Sequence, residues 1–153
     1  MMPAIFEPDP TFFLLPERPS TLKIPMAIEK IPAGFPSPAE GYACESLDFN
    51  QYLVDTPAAT FTVKCGGESM FDAGINKSDL LVIDRSLEPK HMDIVMADLG
   101  SEYTIKRLHK VPHKKMELRS ENSQVHYPNF VCDEYCDFRI IGVVTHLIKS
   151  FRK

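Results

Sequence analysis

At 153 residues the chain is long enough for one domain with a real core and a tail left over. Its formal net charge of −4 argues against a broad basic face gripping nucleic acid and leaves room only for small basic patches, such as the ending LIKSFRK. No apolar run approaches the roughly 18 residues of a membrane span. The acidic start MMPAIFEPDP is unlike a signal peptide, so a cytoplasmic protein with no membrane partner is expected.

Proline divides the chain. Nine of its thirteen prolines precede Ala39, which excludes long helices and central strands from residues 1–38. The short apolar pieces TFFLL and IPMAIEKI interrupt this arm and can only dock on something else. Within IPAGFPSPAEGY, Pro32, Pro36 and Pro38 stiffen an extended segment that presents Ala33-Gly34, an unobstructed peptide bond. A semi-rigid spacer is the plain explanation; a substrate held out for the rest of the chain is the other.

From Ala39 to the end the pattern changes. CESLDFNQYLV has mixed apolar spacing, which predicts a short helix or turn before Pro57. ATFTVKCGG alternates, with Phe61, Val63 and Cys65 on one face of a strand. SDLLVIDRS, DIVMADL, EYTIKRLHK and KKMELRS are further short strands, punctuated by Gly74, Asp79, Pro89, Gly100 and Pro112. DFRIIGVVTHLIKS is a longer β-branched run. Many short strands separated by turns predict a mostly β, compact barrel-like or sandwich-like domain over 39–153, preceded by the extended arm 1–38.

Cys44, Cys65, Cys132 and Cys136 show no Cys-x-x-Cys spacing. A metal pair at Cys132 and Cys136 lacks a matching Cys/His pair, so reduced thiols, no metal and no cofactor are expected. The five histidines, His91, His109, His113, His126 and His146, lie beside charged or turn residues and suggest no triad. Asp72, Asp79, Asp84 and Asp93 are read as turn caps.

Two residues can carry chemistry. Ser69 follows Gly66-Gly67 and Glu68, where a sharp backbone turn would expose its hydroxyl and its own N–H, as a nucleophile and half of an oxyanion hole require. A turn serine serving only local backbone groups is the alternative. On EYTIKRLHK, strand alternation puts Lys106 with Thr104 and Leu108, and Tyr103, Ile105 and Arg107 opposite. Neither face is wholly apolar, so the direction of Lys106 stays open. Pointing inward, it would lose basicity through burial.

AGFPSPA at 33–39, GESMFDAGI at 67–75 with DLLVIDRS at 79–86, EYTIKRL at 102–108 and IGVVTHLIK near the end occur in an order and spacing that resemble the UmuD/LexA family of self-cleaving serine peptidases of the bacterial SOS response. The resemblance runs from about Ile31 to Ile148. It implies a LexA-type β-rich peptidase domain in which Ser69 is the nucleophile and Lys106 the base. The cut would fall between Ala33 and Gly34, with the backbone N–H groups of Ser69 and Glu68 holding the oxyanion. It further implies cleavage stimulated by RecA filaments on single-stranded DNA. The shortened homodimer would then serve a UmuC-type error-prone translesion polymerase as an accessory subunit, with no sequence-specific DNA binding of its own. The alternative is a LexA-like self-cleaving regulator of DNA-damage genes. Such repressors carry a helix-turn-helix domain before the cleavage site, whereas 33 proline-rich residues precede Gly34 here. Pro32, which lacks an N–H next to the scissile pair, departs from the family pattern.

Overall fold

The computed structural model describes residues 21–28, 30–34, 44–135 and 137–152. The piece TFFLL, Pro36, Pro38 and Cys136 lie outside the described residues. By compactness the chain divides between Asp55 and Thr56.

In the first unit, β1 (Lys23–Ala27) pairs antiparallel with β2 (Cys44–Asp48), from Lys23 opposite Asp48 to Ala27 opposite Cys44. β1 includes Pro25, which a two-stranded ladder tolerates because one side of each strand is an edge. A one-turn helix, α1 (Phe49–Leu53), comes directly after β2 and is capped by the Asp48 carboxylate, which accepts from the Asn50 N–H at 2.9 Å. CESLDFNQYLV is therefore half strand and half helix rather than helix or turn throughout. The strand half forms because β1 supplies a hydrogen-bonding partner that the local pattern does not announce. Ala33 and Gly34 are exposed.

The second unit is a seven-stranded antiparallel sheet. It comprises β3 (Thr60–Lys64), β4 (Leu80–Asp84), β5 (Ile94–Asp98), β6 (Tyr103–His109), β7 (Glu117–Arg119), β8 (Phe130–Val131) and β9 (Arg139–Ile148), in the order β3-β4-β9-β5-β6-β7-β8. The mostly β expectation is met. Two apolar clusters form the core, one around Phe61, Ile75, Leu81 and Ile83, the other around Leu108, Leu118, Phe138 and Val143. Consecutive β5 residues serve different clusters: Ile94 and Met96 join the first, Val95 and Ala97 the second. A strand covered on both faces needs no polar alternation, which is why DIVMADL reads as one apolar run.

β9 holds the middle of the sheet by pairing with both β4 and β5, and its register shifts once against each. Such bulges bend a strand and raise its twist. Between them Gly142 lets two backbones meet, since a Cβ there would lie 2.7 Å from Ile83 Cγ2 and 2.9 Å from the Asp84 carbonyl oxygen.

The aspartates close turns. Asp84 Oδ1 accepts from the Ser86 N–H and hydroxyl, and Asp93 Oδ2 accepts from the Lys90 N–H. Asp79, buried, accepts from the Asn76 N–H and from Lys149 Nζ at 2.6 Å. The expectation of reduced thiols needs one correction. Cys44 and Cys65 are thiols, but Cys132 is disulfide-bonded, its sulfur brought against a second one in a way that sequence spacing did not reveal. Among the described residues no helix is long and apolar enough to cross a membrane.

Candidate active site

Ser69 leaves β3 through Gly66, Gly67 and Glu68 and is held by its neighbour. Met70 is 2% exposed and sits in the first core cluster. Its carbonyl accepts from the Ala73 and Ile75 N–H groups, and the Phe71–Ala73 turn ends at Gly74 with φ 85°. Burying Met70 fixes the chain on which Ser69 stands, and the serine itself stays half-exposed. The chain bends just after the glycine pair, at Glu68–Met70. Neither Gly66 nor Gly67 has a positive φ, and a Cβ on either would meet nothing within 4 Å. The pair contributes an open rim rather than a forced turn.

Lys106 comes from β6, opposite Val95 of β5. It points inward: the residue is 4% exposed, like its fully buried neighbour on that face, Leu108. Its Nζ lies 2.7 Å from Ser69 Oγ, across 37 positions of sequence. Burial pulls the lysine pKa below its ordinary value, because an ammonium loses hydration there; the nearby Cys65 and Glu102 oppose that shift. A lysine so placed can hand over or accept a proton at the serine hydroxyl.

A groove of about 360 Å³ opens beside the pair, walled by Val63–Gly67 on one side and Tyr103–Ile105 on the other, with Met96 in its lining. β3 ends the sheet, so its outer edge has no strand partner among the described residues. Among those residues the backbone N–H groups of Glu68 and Ser69 donate to no acceptor, whereas their carbonyls are engaged. The predicted site residues Glu68, Ser69 and Lys106 thus lie together. Ala33 and Gly34 belong to the other unit. None of the five histidines lines this groove.

Sequence reasoning missed the brace around the pair. Glu121 N–H donates to the Ser69 carbonyl at 2.8 Å, and the Glu121 carboxylate takes two bonds from Arg107, at 2.6 and 3.1 Å. One residue therefore ties the serine turn to the strand that carries Lys106. Asn122 adds a bond from Nδ2 to the Glu68 carbonyl, and Asp72 accepts from the Ser123 N–H. The only signal for this was a polar run, SENSQ, indistinguishable from an ordinary surface loop.

A serine and a buried lysine on a β-sheet scaffold of this kind define a class of protein. The chain belongs to the Peptidase S24-like family, which its residues 25–145 match. Protein ImpA of Salmonella typhimurium is 43% identical over 131 residues, covering 84% of this chain and 86% of its own. Protein MucA of Escherichia coli is 39% identical over 123 residues, covering 80% and 82%. The LexA repressor of Desulfatibacillum aliphaticivorans is 32% identical over 128 residues, covering 84% of this chain and 62% of its own. The UmuD/LexA resemblance carried by the motifs holds, and with it a serine peptidase relationship of the self-cleaving, SOS-related kind.

Proposed function

We propose that the chain is a UmuD-like precursor that cuts itself between Ala33 and Gly34 and then acts as a binding subunit. Support rests above all on one observation, the 2.7 Å separation of Lys106 Nζ and Ser69 Oγ where the lysine is shut off from water. A serine hydroxyl is a weak nucleophile until a base takes its proton. An ordinary lysine, with a pKa of about 10.4, is protonated at neutral pH and cannot serve; burial favours the neutral amine.

In the proposed reaction neutral Lys106 takes the proton of Ser69 as Oγ bonds to the Ala33 carbonyl carbon. The oxyanion that forms accepts hydrogen bonds from the N–H groups of Ser69 and Glu68, which donate to no other acceptor among the described residues. The carbon–nitrogen bond to Gly34 then breaks, and the Lys106 ammonium returns its proton to the departing amine. Water, deprotonated by the same lysine, releases Ala33 from the ester. The small side chain of Ala33 suits a narrow groove, and proline on both sides reduces the conformational entropy lost on docking.

The lasting role on this proposal is that of a homodimeric accessory to a UmuC-type translesion polymerase, switched on by RecA filaments on single-stranded DNA. Exposed Leu147, Ile148 and Phe151 at the end of β9 offer apolar surface for a second copy. The test is incubation of the purified chain near pH 7 with RecA, single-stranded DNA and a nucleotide, followed by intact mass. A fragment beginning at Gly34, absent in Ser69→Ala and in Lys106→Ala, is expected. An intact chain both there and at about pH 10, where lysine amines deprotonate, would overturn the proposal.

A further inference from the structure

Although the chain is acidic overall, one part of its surface is not. The turn before β5 and the β6–β7 hairpin enclose two adjoining clefts that share His91, Val111 and Lys114. Five cations line them, Lys90, Lys110, Lys114, Lys115 and Arg119, against two carboxylates, Glu88 and Glu117. Glu117 is engaged by Arg119 at 2.7 Å, and Glu88 reaches Lys110 only at 3.8 Å. Lys90, Lys114 and Lys115 are exposed and have no carboxylate within ion-pair distance among the described residues. A chain of net charge −4 that gathers lysines outside ion pairs in one place concentrates a positive potential there.

The shape adds a second requirement. The larger cleft, about 560 Å³, also includes Pro89, Val111, Pro112 and Met116 in its lining. An occupant that suits both kinds of lining is anionic in one part and flat or apolar in another. His91 fits the same demand: its Nδ1 accepts from the Lys110 N–H at 3.2 Å, which leaves Nε2 as an N–H donor in the neutral ring. His109 meets His91 edge to face at 5.4 Å. Partial burial, then Arg119 and His91, lower the His109 pKa against the opposing pull of Glu117 and Glu121, in keeping with a local excess of positive charge.

We infer that this cleft binds the phosphodiester backbone of single-stranded nucleic acid, with a base resting on the apolar lining of Pro89, Val111 and Pro112. Phosphate contacts by lysine are independent of sequence, and bases settle on apolar or ring surfaces without base-edge readout. An unpaired strand fits better than a duplex because only unstacked bases offer a face to such a lining. The inference is independent of the self-cleavage proposal, since none of these residues lines the Ser69 groove.

The test is fluorescence anisotropy of an end-labelled oligothymidylate titrated with the full-length chain. Expected is saturable binding that weakens with salt at a logarithmic slope of roughly −2, as about three neutralised phosphates on a single strand give. The double variant Lys114→Glu/Lys115→Glu should bind about tenfold or more weakly, while Lys77→Glu, an exposed lysine elsewhere, should not, since removal of phosphate contacts weakens binding uniformly across sequences. An abasic phosphodiester of equal length should bind more weakly than oligothymidylate. Circular dichroism checks that the variants fold; should the double variant fail to, Lys90→Ala with Lys110→Ala carries the comparison. Equal binding by wild type, the cleft variants and Lys77→Glu would overturn the inference. So would capture of a polyglutamate peptide with no binding of the oligonucleotide, which would assign the cleft to an acidic protein segment.

Discussion

Replacing Glu121 by Gln tests whether the brace around Ser69 and Lys106 is energetic or merely geometric. The substitution keeps the Glu121 backbone N–H on the Ser69 carbonyl and removes the charge that Arg107 grips through two bonds at 2.6 and 3.1 Å. Fully exposed pairs contribute about 0.2–1 kcal/mol, and sheltered hydrogen bonds to a charged group about 1.5–3. The side chains of Arg107 and Glu121 are 21% and 28% exposed, which places the pair between those limits, at about 1.5 kcal/mol. For a domain of this size that corresponds to a fall in Tm of roughly 3–6 °C. A double-mutant cycle with Arg107→Gln isolates the coupling from side effects of each change. If the brace also holds the serine turn during cleavage, the rate falls by at most about tenfold, the equivalent of 1.4 kcal/mol. The pH dependence should keep its midpoint, because Lys106 is untouched. A coupling energy under about 0.5 kcal/mol, within ordinary additivity error, would show that the bridge holds nothing.

Three other residues carry expectations of their own. Because burial lowers the Lys106 pKa, the folded chain binds fewer protons there than the unfolded one, so this destabilisation is full below the folded pKa and is relieved as pH rises toward about 10.4. Lys106→Met should therefore raise Tm near neutral pH by an amount that shrinks toward pH 10; thermal melts giving a pH-independent gain, or a loss, would refute it. Asp79 has a depressed pKa, chiefly through its bond from Lys149 and then the Asn76 N–H, so its stabilisation is present above the ordinary carboxylate range and is lost as pH falls through the folded value. Asp79→Asn should accordingly lower Tm at neutral pH and converge on wild type in acid, and parallel melting curves would refute that. Gly142→Ala drives a methyl against backbone at 2.9 Å and should cost about 1–3 kcal/mol by overpacking, read from urea midpoints at unchanged slope.

Six of the seven strands of the larger sheet were legible because β-branched and alternating runs between turn residues leave few other options: Phe61, Val63 and Cys65 do share a face against one cluster. Ser69 and Lys106 were legible as a spaced pair, yet their contact was not. Alternation left Lys106 free to point either way, and its contact with Ser69 spans 37 positions of sequence. β2 and β8 escaped for a related reason. Each exists because a partner strand satisfies its backbone, in the first case β1 and in the second β7. The Glu121 brace was illegible outright, since a polar loop residue that bonds two distant elements looks like any other polar loop residue.

The ladder between β1 and β2 bears on the fate of the arm after a cut at Ala33-Gly34. The bond lies in the stretch between Ala27 and Cys44, the pair that closes the ladder. Hydrolysis would therefore not by itself release the first 33 residues. It would turn a loop closure within one molecule into an association between two, held by five facing residue pairs of a two-stranded ribbon that is marginal alone in water. An intact chain keeps that pairing at any dilution, because its ends are joined. A cut chain keeps it only while the fragment concentration exceeds its dissociation constant. Scission would then be the irreversible step and loss of the peptide a separate, reversible one, governed by how much protein the cell contains.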